Sequence, residues 1–187
     1  MASLLPCLDA VAQSSQPQAS APIFVPAPGQ MFFLDLDSAP GVFSQWRHES
    51  LGTLNGMRAV FRVPRVRKDN KWAPTFAVYL QGEGDPQSAN ALGLQIFEQD
   101  RKLPLKMRLV GRLNGETIQE IQLQTTLRIN DELKVEMRWA APQVITIIVG
   151  DSEMRNVNVS WPVCSATIAS STGQLKVDPL VLGTVKP

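Results

Sequence analysis

Histidine, tyrosine and cysteine are nearly missing from this chain, whose 187 residues hold one, one and two of them. With His48 as the only histidine, a histidine-rich metal centre is excluded, and any Ser-His-Asp or Cys-His arrangement would hang on that one residue, with no G-x-S-x-G run to accompany it. Two cysteines, Cys7 and Cys164, cannot form a dense disulfide framework. They leave open either one bridge, tying the leading segment to the rest, or two unpaired thiols with Cys164 facing the core. Charge of one sign is also lacking. Eighteen basic residues against seventeen acidic ones give a net charge of +1, so no global field calls for nucleic acid or an anionic membrane as partner. Nothing apolar is long enough to span a bilayer. Aromatics make up only 6 %, which is sparse for a protein that stacks rings on sugars.

What is present suits a single core. A hydrophobic share of 44 % with 19 % charged residues is ordinary for one soluble globular domain. Residues 1–30 read as an extended arm or linker, because Ser14 to Pro22 is polar and proline-containing and Pro26 and Pro28 continue it. Ala10-Val11-Ala12 has the small-residue pattern of a signal-peptidase site, although Asp9 interrupts the apolar stretch and no basic region precedes it. The compartment stays open, with the extracellular or periplasmic side slightly favoured. Residues 31–187 are expected to be the domain.

Within that domain the dominant signal is period two. In Leu133 to Trp139, Leu133, Val135, Met137 and Trp139 share one face while Lys134, Glu136 and Arg138 share the other, as in a half-buried strand. The same alternation places Met57, Ala59, Phe61 and Val63 inward, then Trp72, Phe76, Val78 and Leu80, then Leu92, Leu94 and Ile96, then Leu105, Met107 and Leu109. Lys106, Arg108 and Arg112 point outward. Val144 to Val149 is apolar on both faces and suits a central strand or one whose outer face is covered. Asn114-Gly115 between alternating segments predicts a tight hairpin, since both positions tolerate the positive φ of a type I′ turn. Ser38 to Gly41 and Ser170 to Gly173 read as turns. Eleven or twelve strands and no long amphipathic helix predict an all-β, two-sheet antiparallel sandwich.

Candidate functional residues fall in three places. Asp35 and Asp37 share a strand face, a pattern that could serve a hard cation or an acid/base pair, although a solvated face is the ordinary meaning of such a pair. Arg58 and Arg62, with the basic loop that follows, could hold the acidic groups of a glycan. The polar loop from Gln81 to Asn90 contributes Glu83, Asp85 and Asn90, and Trp46 is the tryptophan expected to be exposed.

The order of segments at the C-terminal end resembles a known group. A strand ending in tryptophan (Leu133 to Trp139), a β-branched strand into a Gly-Asp turn (Val144 to Asp151), a small-residue strand with Ser-Thr-Gly (Ser170 to Gly173) and a final leucine-rich strand resemble the concanavalin A-like lectin/glucanase jelly roll, with its laminin-G-like members. The resemblance implies a jelly-roll sandwich over residues 31–183 and a lectin-like function, glycan binding. It does not carry catalysis with it: the E-x-D-x-x-E run of the glucanase branch is absent, and His48 stands in no context matching the histidine, asparagine and arginine of the galectin branch. The expectation is therefore a non-catalytic carbohydrate-binding module without cofactor, with a glycan or protein partner and oligomer formation left open. Two alternatives are a structural or assembly protein that uses a sheet face or the N-terminal arm, and a glycan-cleaving enzyme whose carboxylates meet only in three dimensions.

Overall fold

A computed structural model describes residues 22–85, 88–99, 102–140, 143–151 and 153–186. Ten strands follow one another: β1 (Ile23–His48), β2 (Gly56–Val66), β3 (Thr75–Gln81), β4 (Ala91–Gln99), β5 (Lys102–Leu113), β6 (Glu116–Leu127), β7 (Glu132–Ala140), β8 (Val144–Val149), β9 (Glu153–Asn158) and β10 (Ser165–Lys186). There is no helix among the described residues, hence none long and apolar enough to cross a membrane. All pairings are antiparallel, and hydrogen bonds run in the order β6-β5-β4-β3-β10-β2-β7-β8-β9 with β1 on the other side of β10.

Two strands turn that continuous path into two layers. The first half of β10, Ser165 to Ser171, pairs with β3, and its second half, Gly173 to Gly183, pairs with β2. β1 follows β10 along both halves. A front sheet (β6, β5, β4, β3 and the adjoining halves of β10 and β1) therefore packs on a back sheet (β9, β8, β7, β2 and the remaining halves). Counting each bent strand once per sheet gives twelve segments, at the upper end of the eleven or twelve that the alternation suggests.

The bends sit where turns were expected, but the chain passes through them as strand. Side chains there supply the hydrogen bonds that the ladder loses. Ser38 Oγ donates to the Ser170 carbonyl (2.9 Å), the Gly41 N–H donates to Thr172 Oγ1 (3.2 Å), and Ser170 Oγ donates to the Gly173 carbonyl (3.1 Å). Gly173 is needed because a Cβ there would lie 2.7 Å from both the Arg65 carbonyl oxygen and Cζ of Phe76. Small residues thus let the backbones of β1, β10 and β2 converge at the corner.

The core lies between the sheets and follows the predicted phase. Met57, Ala59, Phe61 and Val63 of β2 and Leu133, Val135, Met137 and Trp139 of β7 meet Phe76, Val78, Leu80, Leu94, Ile96, Met107 and Leu109 from the front sheet, all buried. Burying each large aliphatic or aromatic side chain contributes about 1.5–3 kcal/mol. The Asn114-Gly115 hairpin joins β5 to β6 with φ of 52° and 82°, as the type I′ reading requires. β8 is next to the edge strand β9 rather than central, and its second face is half-buried.

Two expectations need correction or qualification. Trp72 lies outside β3, 61 % exposed in the loop after β2, because Pro74 starts the strand pattern later than the apolar phase suggested. His48, the only histidine, ends β1 half-buried, with Nε2 3.0 Å from Gln30 Oε1. Of the segment read as an arm, residues 23–30 already belong to β1. Ala10 to Ala12 and Cys7 lie outside the described residues, and with Cys7 the question of a bridge to Cys164, which is half-buried.

Candidate functional site

Each sheet turns one face to water, and the two differ. On the back sheet the outward positions form a ladder of opposite charges on neighbouring strands. Arg58 Nε donates to Oε2 of Glu136 (2.8 Å), the other oxygen of which, Oε1, holds Arg138, Arg62 pairs with Glu132, and Asp35 takes Lys176 (3.5 Å) and the Gln174 amide (2.7 Å). Asp37 is held by Arg65 (3.1 Å) and Arg67. Hydrogen bonding and charge from Arg67, then Arg65, outweigh desolvation and keep the Asp37 carboxyl below the usual carboxylate range. Burial pushes the Glu136 carboxyl up, but Arg138 and Arg58 together overcome it and leave it lowered.

The front sheet carries a different set. Its outward positions line up across strands by register: Tyr79 on β3 faces Gly93 on β4, which faces Val110 on β5, which faces Glu120 on β6. The neighbouring row is Ala77, Gln95, Arg108 and Gln122. Gln95, 7 % exposed, is bonded at both ends of its amide. Arg108 can only donate, and its Nε reaches Gln95 Oε1 at 2.9 Å, so Nε2 of Gln95 points at the Tyr79 hydroxyl and donates to it. The Tyr79 hydroxyl hydrogen is then free to donate outward. Arg108 also binds Glu120 Oε2 (2.9 Å) and lies 4.7 Å above the Phe97 ring. One relay, Tyr79, Gln95, Arg108 and Glu120, thus spans four strands.

Small residues hollow out the centre of this face. A Cβ at Gly93 would collide with the Tyr79 ring, so the ring lies across β4 only because that position is glycine. Ala91 and Ala169 keep the floor low, and a groove of about 370 Å³ opens between Phe43 and Gln45 of β1, Tyr79 and Gln81 of β3, Thr167 of β10 and Arg112 of β5. Thr167 Oγ1 donates to Gln81 Oε1 (2.6 Å), which fixes that amide, and the Arg112 guanidinium sits 5.1 Å from the centre of the Tyr79 ring. The groove therefore brings together an aromatic ring, a phenol, a fixed amide and a guanidinium.

The structure divides the residues singled out from sequence. Asp85 lines the groove, and Glu83 stands exposed in the same loop. Asn90 closes that loop: its carbonyl accepts from the Gly82 N–H (2.8 Å) and its Oδ1 from the Asn114 N–H (2.8 Å), tying the loop to the β5–β6 hairpin. Arg58 and Arg62 are on the back sheet, engaged by glutamates, far from the groove in topology. Trp46 is half-buried rather than exposed, packed on the core with its ring 5.0 Å from Phe32 and 6.1 Å from His48. Asp35 and Asp37 are spent on cations, and no cluster of three or more His, Cys, Asp or Glu fit for a metal occurs among the described residues. Tyr79, Gln81, Gln95 and Thr167 were not picked from sequence, although the only tyrosine standing out of phase with buried Phe76, Val78 and Leu80 was a legible sign.

No protein-family model and no curated protein sequence matches the chain. Solved structures do. Galectin LEC-6 of Caenorhabditis elegans superposes with a TM-score of 0.54 at 13 % identity, covering 84 % of this chain and 98 % of its own. The carbohydrate recognition domain of Emp46p in its potassium-bound form gives 0.55 at 12 % identity, over 82 % and 88 %. Congerin II with lactose and MES gives 0.55 at 11 % identity, over 74 % and 99 %. At such identities the likeness is one of fold: this chain is a sandwich of the concanavalin A-like jelly-roll type, as the segment order implied.

Proposed function

We propose that this chain is a non-catalytic module that binds glycans in the groove on its front sheet. The observation that carries this reading is the Tyr79 ring packed over Gly93 with hydrogen-bonding groups fixed around it. A sugar has an apolar C–H face and a rim of hydroxyls, and it needs an aromatic surface beside donors and acceptors that do not have to be ordered on binding. Gln81, Gln95 and Arg108 are held by their neighbours before any ligand arrives. The volume lies at the lower end of the range of small-molecule sites, about 300–1,000 Å³. The fold agrees, since solved structures of this type include a domain described as carbohydrate-recognising and one holding lactose. A glycan array followed by titration calorimetry tests the proposal: the chain retains a defined set of glycans, and Tyr79→Ala lowers affinity for them at least about tenfold, the loss of roughly 1.4 kcal/mol. Failure of the folded chain to retain any glycan would sink it.

A second reading has its own support. β1 is the outer strand of both sheets, and it exposes Ile23, Met31, Phe33 and Phe43, the last two at 66 % and 61 %. An apolar edge strand of this kind suits contact with a protein, whether a second copy or another partner. Light scattering across a hundredfold range of about 1–100 μM, bracketing weak association, separates a monomer from an assembly protein.

A further inference from the structure

Arg112 differs from the other arginines that stand on the sheet faces. Arg58, Arg62, Arg65, Arg67, Arg108 and Arg138 each hold a carboxylate of this chain. Arg112 is half-buried, lines the front groove and has no such partner among the described residues; its one contact of note is the Tyr79 ring, 5.1 Å away. A guanidinium partly removed from water and not ion-paired is costly, and contact with a ring compensates only part of that cost. The guanidinium is a planar group whose N–H donors form a rigid fork. Such a fork matches the two oxygens of a carboxylate or the oxygens of a sulfate.

Resting on the reading of the front face as a glycan site, we infer that the groove selects glycans bearing an anionic group, carboxylate or sulfate, and that Arg112 receives that group. Asp85, from the loop between β3 and β4, lines the same groove. A carboxylate there repels an anion and accepts sugar hydroxyls, so the two side chains orient an acidic sugar, with its acid on Arg112 and its hydroxyls toward Asp85. The chain carries a net charge of only +1, so a preference for acidic ligands would come from this local arrangement and not from the overall field.

The test is an array on which each carboxylated or sulfated glycan stands beside its neutral parent, probed with the full chain and three variants. The wild type binds acidic members at least about tenfold more tightly than their parents, as a charge-assisted bidentate contact implies. Arg112→Gln abolishes that preference, leaving acidic members bound no more tightly than their neutral parents. Arg112→Lys keeps part of the preference, retaining the charge without the fork. Lys134→Gln, which removes one charge from the back sheet, leaves the preference intact. Equal binding of acidic and neutral members overturns this inference and leaves the glycan reading standing. A preference that survives Arg112→Gln overturns the assignment to Arg112, and no binding to any member overturns the reading of the face together with it. Carboxylated and sulfated pairs, compared with each other, tell which acid the fork prefers.

Discussion

The two outward faces are built from the same kind of strand and nearly the same charged residues, yet one is closed and the other open. On the back sheet arginines meet carboxylates of the chain itself, as in Arg58 with Glu136 and Arg62 with Glu132 on the next strand. On the front sheet the charges are spaced by neutral groups, so that Arg108 reaches Tyr79 only through the Gln95 amide, and Arg112 stacks on a ring. Charge that is answered within the chain has nothing to offer a ligand. The difference between the faces is therefore one of what is left unanswered, and composition alone is blind to it.

The largest break removes what the two faces share. Leu94→Ala, at a fully buried position between the sheets, should lower unfolding free energy by about 2–5 kcal/mol in urea titration, with both faces lost together. Gly93→Val strikes the front face alone. A branched side chain would displace the Tyr79 ring, costing about 1–3 kcal/mol of stability and the glycan affinity as well, whereas a folded variant that binds as tightly as the wild type would show that the ring is not the floor of the site.

The comparison sharpens with a matched pair of arginines. Arg108→Met leaves Oε1 of the buried Gln95 without its donor and should cost about 1–3 kcal/mol in thermal or chemical unfolding. Arg62→Met removes an exposed pair and should cost no more than about 1 kcal/mol. Equal losses would erase the distinction between relay and ladder.

The smallest effect is that of pH. The carboxyls of Glu136, Asp37 and Asp69 lie below their ordinary values in the folded chain, Asp69 because the backbone N–H groups of Lys71 and Trp72 bond to it. A carboxyl depressed by folding adds stability that is fully present above its unfolded value, about 4 for Asp and Glu, and is lost as pH falls through the folded value. Melting temperature should accordingly hold near neutrality and decline below about pH 4. Glu136→Gln should flatten part of that decline, and an unchanged slope in that variant would place the acid sensitivity elsewhere.

Much of the layer structure could be read from alternation because burial of one face imposes a period of two wherever the strand runs. Met57 to Val63, Leu92 to Ile96 and Leu133 to Trp139 show this, and Asn114-Gly115 marks its hairpin through local backbone preference alone. Trp72 misled because it is in phase with Phe76, and phase does not say where a strand begins. Ser38 to Gly41 and Ser170 to Gly173 have the residues of turns, since the same small polar side chains that permit a turn also permit a strand to bend between two sheets. For the site, the loop with Asp85 and Asn90 was visible as a polar interruption between good strands, and Arg108 and Arg112 were visible as outward. Their partners were not, because Gln95 and Tyr79 acquire their roles only from the strands beside them.

The sequence by itself determined which side chains face in and which face out, since that depends on neighbours one and two residues away. Only the tertiary structure decided which outward residues meet. Arg58 and Glu136 are 78 positions apart and pair because β2 lies against β7. Ser38 and Ser170 are 132 apart and bond because β1 and β10 bend at the same place. Adjacency of distant strands is set by how the whole core packs, and Arg112, half-buried without a bonded carboxylate among the described residues, takes that place only once the packing is complete.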